Sequence, residues 1–182
     1  FIDNFHVWTE HAGPQVTLRV KAFLRNRSGQ PRRERITFQI NHDVLHSQKY
    51  DVSGSEPQIT FSVVLQNPRL WSPDRPYLYR ARLSLEDSCD DQFTRFGVRF
   101  FTLDGFKILL NGSRFRLAGA NHHDDHPDWG AALPPHIIRQ DIEILKRMGA
   151  NAVRSHYPTF EMFMDYCDEN GLVFMSEVPA WQ

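Results

Sequence analysis

The feature that most constrains this chain is a change of hydrophobic period near Gly97. Before it, apolar residues recur at every second position. Val16, Leu18, Val20, Ala22 and Leu24 alternate with Thr17, Arg19 and Lys21. Ile36, Phe38 and Ile40 repeat the pattern, as do Ile59, Phe61, Val63 and Leu65, and then Tyr79, Ala81, Leu83 and Leu85. Successive side chains of a strand point to opposite faces, so this period predicts antiparallel strands with one face buried and one in water. Turn-forming stretches separate them at Asn26 to Pro31, Asn41 to Asp43, Ser53 to Pro57 and Asn67 to Pro76. With Ile2 to Thr9, Val44 to Tyr50 and Gln92 to Phe101 the count comes to about seven strands, the number and spacing of an immunoglobulin-like β-sandwich. The first domain is therefore expected over residues 1–98, and a spacer role accounts for it as readily as a binding role.

After Gly97 the period lengthens. Ile108 to Arg116 reads as a hairpin turning at Asn111-Gly112. Phe115 to Ala120 reads as a short strand. Pro134-Pro135 opens a helix with Ile138, Ile142, Leu145 and Met148 on one stripe and Gly149 as its stop. Ala150 to Arg154 is a second strand. Thr159 is placed to cap a second helix, whose buried face would carry Phe160, Phe163, Met164 and Cys167 and whose end is Gly171. Leu172 to Met175 is a third strand. The order β-α-β-α-β with short links demands parallel strands. Gly119-Ala120-Asn121 is no Gly-rich phosphate loop, so a dinucleotide-binding sheet fits less well than the start of an (β/α)8 TIM barrel, over residues 99–182.

Composition narrows the function. The 182 residues hold 21 Lys+Arg against 22 Asp+Glu, a net charge of −1, so no basic excess is present to meet nucleic-acid phosphates. Apolar runs such as Leu172 to Met175 are far shorter than the about 20 residues a membrane helix needs. Neither nucleic acid nor membrane is an expected partner. Cys89 and Cys167 make no disulfide framework and are expected as free thiols. The start at Phe1, with no Met and no signal region, suggests a chain cut from something longer and leaves localisation unread.

The chemistry-bearing residues gather at one end of the expected parallel strands. The first runs into Asn121-His122-His123-Asp124-Asp125-His126, the second into Arg154-Ser155-His156-Tyr157, the third into Ser176-Glu177. Barrel enzymes build their sites at these carboxyl ends. Taken singly, His122, Asp125 and His126 are loop residues. Arg154 differs, because a charge leaving a buried strand needs partners, and Glu177 is the candidate for an ion pair. The His/Asp run could offer metal ligands, but neighbouring residues of an extended segment point different ways, so few could share one ion. Cys167 falls on an apolar stripe and reads as core.

These residues resemble glycoside hydrolase family 2. The likeness lies in Gly119-Ala120-Asn121-His122-His123-Asp124 with His126-Pro127 and Gly130, in Asp141-Ile142 with Lys146, and in Gly149 to Arg154 followed by Ser155-His156-Tyr157-Pro158. It continues through Cys167-Asp168-Glu169-Asn170-Gly171-Leu172 and Glu177-Val178-Pro179. Upstream, Trp71-Ser72-Pro73, Pro76-Tyr77-Leu78-Tyr79 and Phe96-Gly97-Val98-Arg99 resemble the end of the family's sandwich domain. The likeness covers nearly the whole chain.

The resemblance implies a retaining β-glycosidase of the β-galactoside or β-glucuronide type, with a carbohydrate as partner and a parent enzyme that could be a homo-oligomer. His123 and His156 would line the subsite of the non-reducing sugar. Asn121 and Arg154 would support it, Asp124, standing where the family often has Glu, would bind substrate with them, and Glu177 would be a carboxylate behind the site. The acid/base and nucleophile Glu would follow residue 182, because the stretch after Gly105 is much shorter than the about 250 residues of a whole barrel. No catalytic residue is then expected in this chain, nor any cofactor or metal, although a divalent-cation site in the full enzyme is compatible with the family. Two departures stand out: His122 replaces the usual Arg or Lys, and Arg154 abuts Ser155 where the family has one more residue between them. The rival readings are a non-catalytic carbohydrate-binding or interaction module and a metal-dependent hydrolase using the His/Asp loop.

Overall fold

A computed structural model describes residues 1–11 and 15–178. It divides into two compact units, residues 1–70 with 78–100, and residues 71–77 with 101–182. Among the described residues no helix is long and apolar enough to cross a membrane.

Among its described residues the first unit holds seven strands: β1 (Ile2–His11), β2 (Gln15–Leu24), β3 (Arg32–Ile40), β4 (Asp43–Val52), β5 (Gln58–Gln66), β6 (Tyr79–Leu85) and β7 (Asp90–Phe96). They form two antiparallel sheets, ordered β1-β2-β5 and β4-β3-β6-β7. The alternation in β2 is kept residue by residue: Val16, Leu18, Val20, Ala22 and Leu24 are all buried, none more than 3% exposed. Ile36, Phe38, Ala81 and Leu83 meet them as one core, and the Phe38 ring stands edge-on to Phe5 and Phe61. Among the described residues one charged side chain is buried in this unit. Glu34, 2% exposed, accepts hydrogen bonds from the Ser88 backbone N–H and hydroxyl and pairs with Arg32. The expected strand Gln92 to Phe101 stops at Phe96, and Val98 is then buried in the core.

The second unit begins with a small antiparallel sheet of β8 (Phe101–Asp104), β9 (Lys107–Leu110) and β10 (Ser113–Arg114). The β9–β10 turn is Asn111-Gly112 with φ of 54° and 79°, the left-handed pair that a two-residue hairpin turn requires. A parallel sheet follows, ordered β11-β12-β13: Gly119–Asn121, Ala152–Ser155 and Val173–Ser176. Helix α1 (Pro135–Arg147) joins the first two strands and α2 (Glu161–Asn170) the last two. Right-handed crossovers between neighbours put both helices on one face of this sheet. Their core is Ile138, Ile142, Leu145, Val153, Phe163, Cys167 and Leu172. Of the two cysteines, Cys167 is buried there and Cys89 is exposed; neither is in a disulfide.

Local expectations are corrected in this unit. Thr159 caps no helix: the N-cap of α2 is Phe160, and no side chain bonds its first turn. Phe160, extended and outside the helix, is 41% exposed instead of lying on the buried stripe. Met164, one 100° step on from Phe163, is 37% exposed at the margin of the contact. Met148 sits at the C-cap of α1, where the helix has ended, and is 68% exposed.

Residues 71–77 belong to this unit. Trp71 is fully buried, and its indole N–H donates to the Asp168 carbonyl at 2.8 Å. Its own carbonyl accepts from the Asn111 amide at 2.9 Å. Gly171, the left-handed residue ending α2, lets the Pro73 carbonyl pass where a Cβ would stand 2.2 Å from its oxygen.

Candidate functional site

The parallel register brings the strand ends to one rim. Asn121 is opposite Arg154, Arg154 opposite Met175, and Ser155 opposite Ser176. A guanidinium at the middle strand can therefore reach both neighbours. Arg154 Nη1 donates to Asn121 Oδ1 at 3.1 Å, and its Nε donates to the Glu177 carboxylate. His156 Nε2 lies 3.8 Å from the other Glu177 oxygen. Arg154 and Glu177 are 34% and 42% exposed, so water screens the pair and its value lies in orientation rather than stability.

Arg154 abuts the Ser-His-Tyr-Pro run directly, and the chain bends just after it. The strand ends at Ser155, and the Ser155 hydroxyl bonds the Tyr157 carbonyl at 2.9 Å, turning the chain. Arg154 and His156 both face Glu177. The His123 ring, from the loop after β11, meets His156 edge-on at 5.6 Å between centroids and lies 5.9 Å from Tyr157. Asn121, His123, Arg154, His156 and Glu177 thus form one cluster. Beneath it, the sheet face around Gly119, Asn121, Ala152, Arg154 and Met175 lines an open hollow of about 300 Å³.

Asp124 is placed differently. Its side chain is 9% exposed, and the Thr159 hydroxyl lies 2.8 Å from each carboxylate oxygen. His122 is also turned inward, stacked on Phe163 at 4.2 Å with Nε2 3.1 Å from Asp141. His126 serves its own turn, its Nδ1 accepting the Asp128 N–H at 3.2 Å. Neighbours in the His/Asp run diverge, and among the described residues no three His, Cys, Asp or Glu side chains could hold one metal ion. Pro179 of the Glu177-Val178-Pro179 run lies outside the described residues.

Sequence reasoning gave no role at the site to Tyr157, Thr159 or Asp141. Tyr157 and Asp141 stood within recognisable runs, but only the packing of the loops shows what their polar atoms meet. Thr159 carried a misleading signal, since a Thr just before a helix is the usual mark of a cap.

Comparison with known proteins bears on this cluster. Residues 101–181 match the family model described as glycosyl hydrolases family 2, TIM barrel domain, and residues 1–99 match that of glycosyl hydrolases family 2. A β-galactosidase of Thermoanaerobacter pseudethanolicus is 40% identical over 156 residues, 81% of this chain and 21% of that protein. A β-glucuronidase of Paenibacillus borealis is 36% identical over 121 residues, 64% of this chain and 20% of that protein. Among solved structures, the glycoside hydrolase family 2 β-galacturonidase from Eisenbergiella tayi bound to galacturonate superposes with a TM-score of 0.87 at 30% identity, over 98% of this chain and 32% of that one. The chain thus spans about a fifth to a third of the length of these relatives.

Proposed function

Because the chain belongs to glycosyl hydrolases family 2 through both its units, we propose that it is part of a retaining β-glycosidase acting on β-galactoside or β-glucuronide bonds. The observation that carries this reading is the meeting of Asn121, Arg154, His156 and Glu177 with His123 at the carboxyl ends of three parallel strands. Two imidazoles beside a partly open hollow suit the hydroxyl groups of one sugar ring, each able to donate or accept. Asn121 and Glu177 fix the Arg154 guanidinium from two sides, and Glu177 in turn faces His156. Glu177 therefore orients the cluster and is poorly arranged to attack a sugar. A retaining glycosidase needs two carboxyl groups about 5–5.5 Å apart, one acid/base and one nucleophile. In this proposal those two groups stand on portions of the barrel outside these 182 residues, and the present chain supplies sugar-binding contacts.

The test is made on the whole parent enzyme with aryl β-galactoside, β-glucuronide and β-mannoside. Turnover of one of the first two is expected. His123→Ala and His156→Ala should each lower kcat/KM by about 10²-fold, through hydrogen bonds that strengthen in the transition state. His126→Ala should change it little. The 182 residues alone should hydrolyse none of the three substrates. Equal effects of all three His substitutions, or turnover by the short chain that Glu177→Gln abolishes, would overturn the proposal.

A further inference from the structure

We infer that Asp124, Tyr157 and Thr159 form a half-buried brace that sets the spacing of His123 and His156, an inference that rests on the sugar-subsite reading above. The two histidines sit on separate loops, one after β11 and one after β12. Nothing local to either loop sets the distance between the rings, and loops are the more mobile part of such folds.

The brace runs between these loops. The Asp124 backbone N–H donates to the Tyr157 hydroxyl oxygen at 2.7 Å. The Thr159 hydroxyl stands 2.8 Å from both oxygens of the Asp124 carboxylate. Behind them the His122 ring, 8% exposed, lies between two acids: Nε2 is 3.1 Å from Asp141, and Nδ1 is 3.7 Å from Asp124 with no hydrogen-bond partner. His122 also extends the sheet, its N–H donating to the Arg154 carbonyl at 2.8 Å.

The pattern of anchoring is the same on both loops. His123 lies between His122 and Asp124, whose side chains are both nine-tenths buried. His156 lies between Ser155, 1% exposed and bonded to the Tyr157 carbonyl, and Tyr157, whose hydroxyl takes the Asp124 N–H. Each histidine is therefore held through the neighbours on both sides of it. The two rings meet at 5.6 Å. Asp124 is in this account a positioning residue, its carboxylate spent on Thr159, and the sugar meets the histidines it holds.

The experiment uses the parent enzyme. Tyr157→Phe and Thr159→Val each remove one brace contact with almost no change of shape. Each should lower kcat/KM by about 10-fold, since a displacement near 1 Å can cost up to about 10². Thr159→Ser, which keeps the hydroxyl, should restore it and also controls for folding. The decisive measurement is coupling: in a His123→Ala background the Tyr157→Phe effect should shrink well below its full size, because one of the two rings whose spacing the brace sets is gone. If His123→Ala is damaging and Tyr157→Phe adds its full effect on top, the brace is wrong and the subsite reading stands. If Tyr157→Phe and Thr159→Val both leave kcat/KM unchanged, the brace is likewise wrong. If His123→Ala itself changes nothing, the subsite reading falls and the brace with it.

Discussion

The two units bury their apolar side chains in different ways. In the first, two sheets face each other, and the core from Ile2 to Val98 is covered on both sides by strands of the same unit. In the second, a three-stranded parallel sheet is covered by two helices on one face, around a smaller core from Leu133 to Leu172. Its other face and its strand ends carry Asn121, Arg154 and Met175, the last 44% exposed. The difference teaches where function can sit. A closed sandwich has spent its inner faces on packing, while a sheet covered on one side keeps a face for polar groups and ligands.

The largest test of this contrast is a pair of truncations. Phe38→Ala in the sandwich and Phe163→Ala beneath the parallel sheet each remove a fully buried ring, at a cost of about 3–5 kcal/mol. Followed by amide exchange, the first should loosen β2 and β5 and the second only β11 to β13 and the helices. Loss of protection in β2 and β5 on Phe163→Ala would show that the units unfold as one.

A smaller effect concerns the unaltered 182-residue chain. Its β13 is an edge strand, and Ile144, Met148, Phe160, Met162 and Met164 are all more than a third exposed. About 100 Å² of apolar surface left uncovered withholds ~2.5 kcal/mol, and an unpaired edge recruits other chains. Exchange should be slow from Val16 to Leu24 and from Ile59 to Leu65, and fast from Phe115 onward, with self-association at rising concentration. Uniformly slow exchange in a monomer would break the comparison.

Next comes Trp71→Phe, which deletes the indole N–H that satisfies the Asp168 carbonyl at the end of α2. About 1 kcal/mol should be lost, read as faster exchange in α2 while the sandwich strands are unchanged.

The smallest effect is a pH dependence confined to the sandwich. His46 stacks flat on Phe61 at 4.0 Å and bonds the Tyr50 hydroxyl at 2.9 Å, and burial lowers its pKa. The unfolded chain then takes up a proton before the folded one does. Stability should be complete above the ordinary His pKa of about 6.5 and should decline as pH falls below it. His46→Gln should flatten this slope in thermal unfolding of the sandwich and leave the second unit's transition where it was.

Much of this was legible because it is periodic. The alternation from Val16 to Leu24 dictated a strand with one buried face, and Asn111-Gly112 a hairpin turn, through local backbone preferences alone. The stripe Ile138, Ile142, Leu145 dictated which side of α1 is covered. The failures were at ends. Thr159 looks like a cap, yet a carboxylate 35 residues away takes its hydroxyl. Met148 and Phe160 continue an apolar stripe on paper, but the helices have stopped before reaching them.

The sequence by itself determined the two fold classes, the change between them near Gly97, and the gathering of polar residues after three parallel strands, since each follows from spacing along the chain. Only the tertiary structure decided which of those residues face one another. Whether His122 or His123 turns inward, and whether Asp124 meets Tyr157 and Thr159, depends on contacts between loops more than 30 residues apart. Local preferences are nearly indifferent between such orientations, and the burial of Asp124 against Thr159 and of His122 against Phe163 and Asp141 settles them.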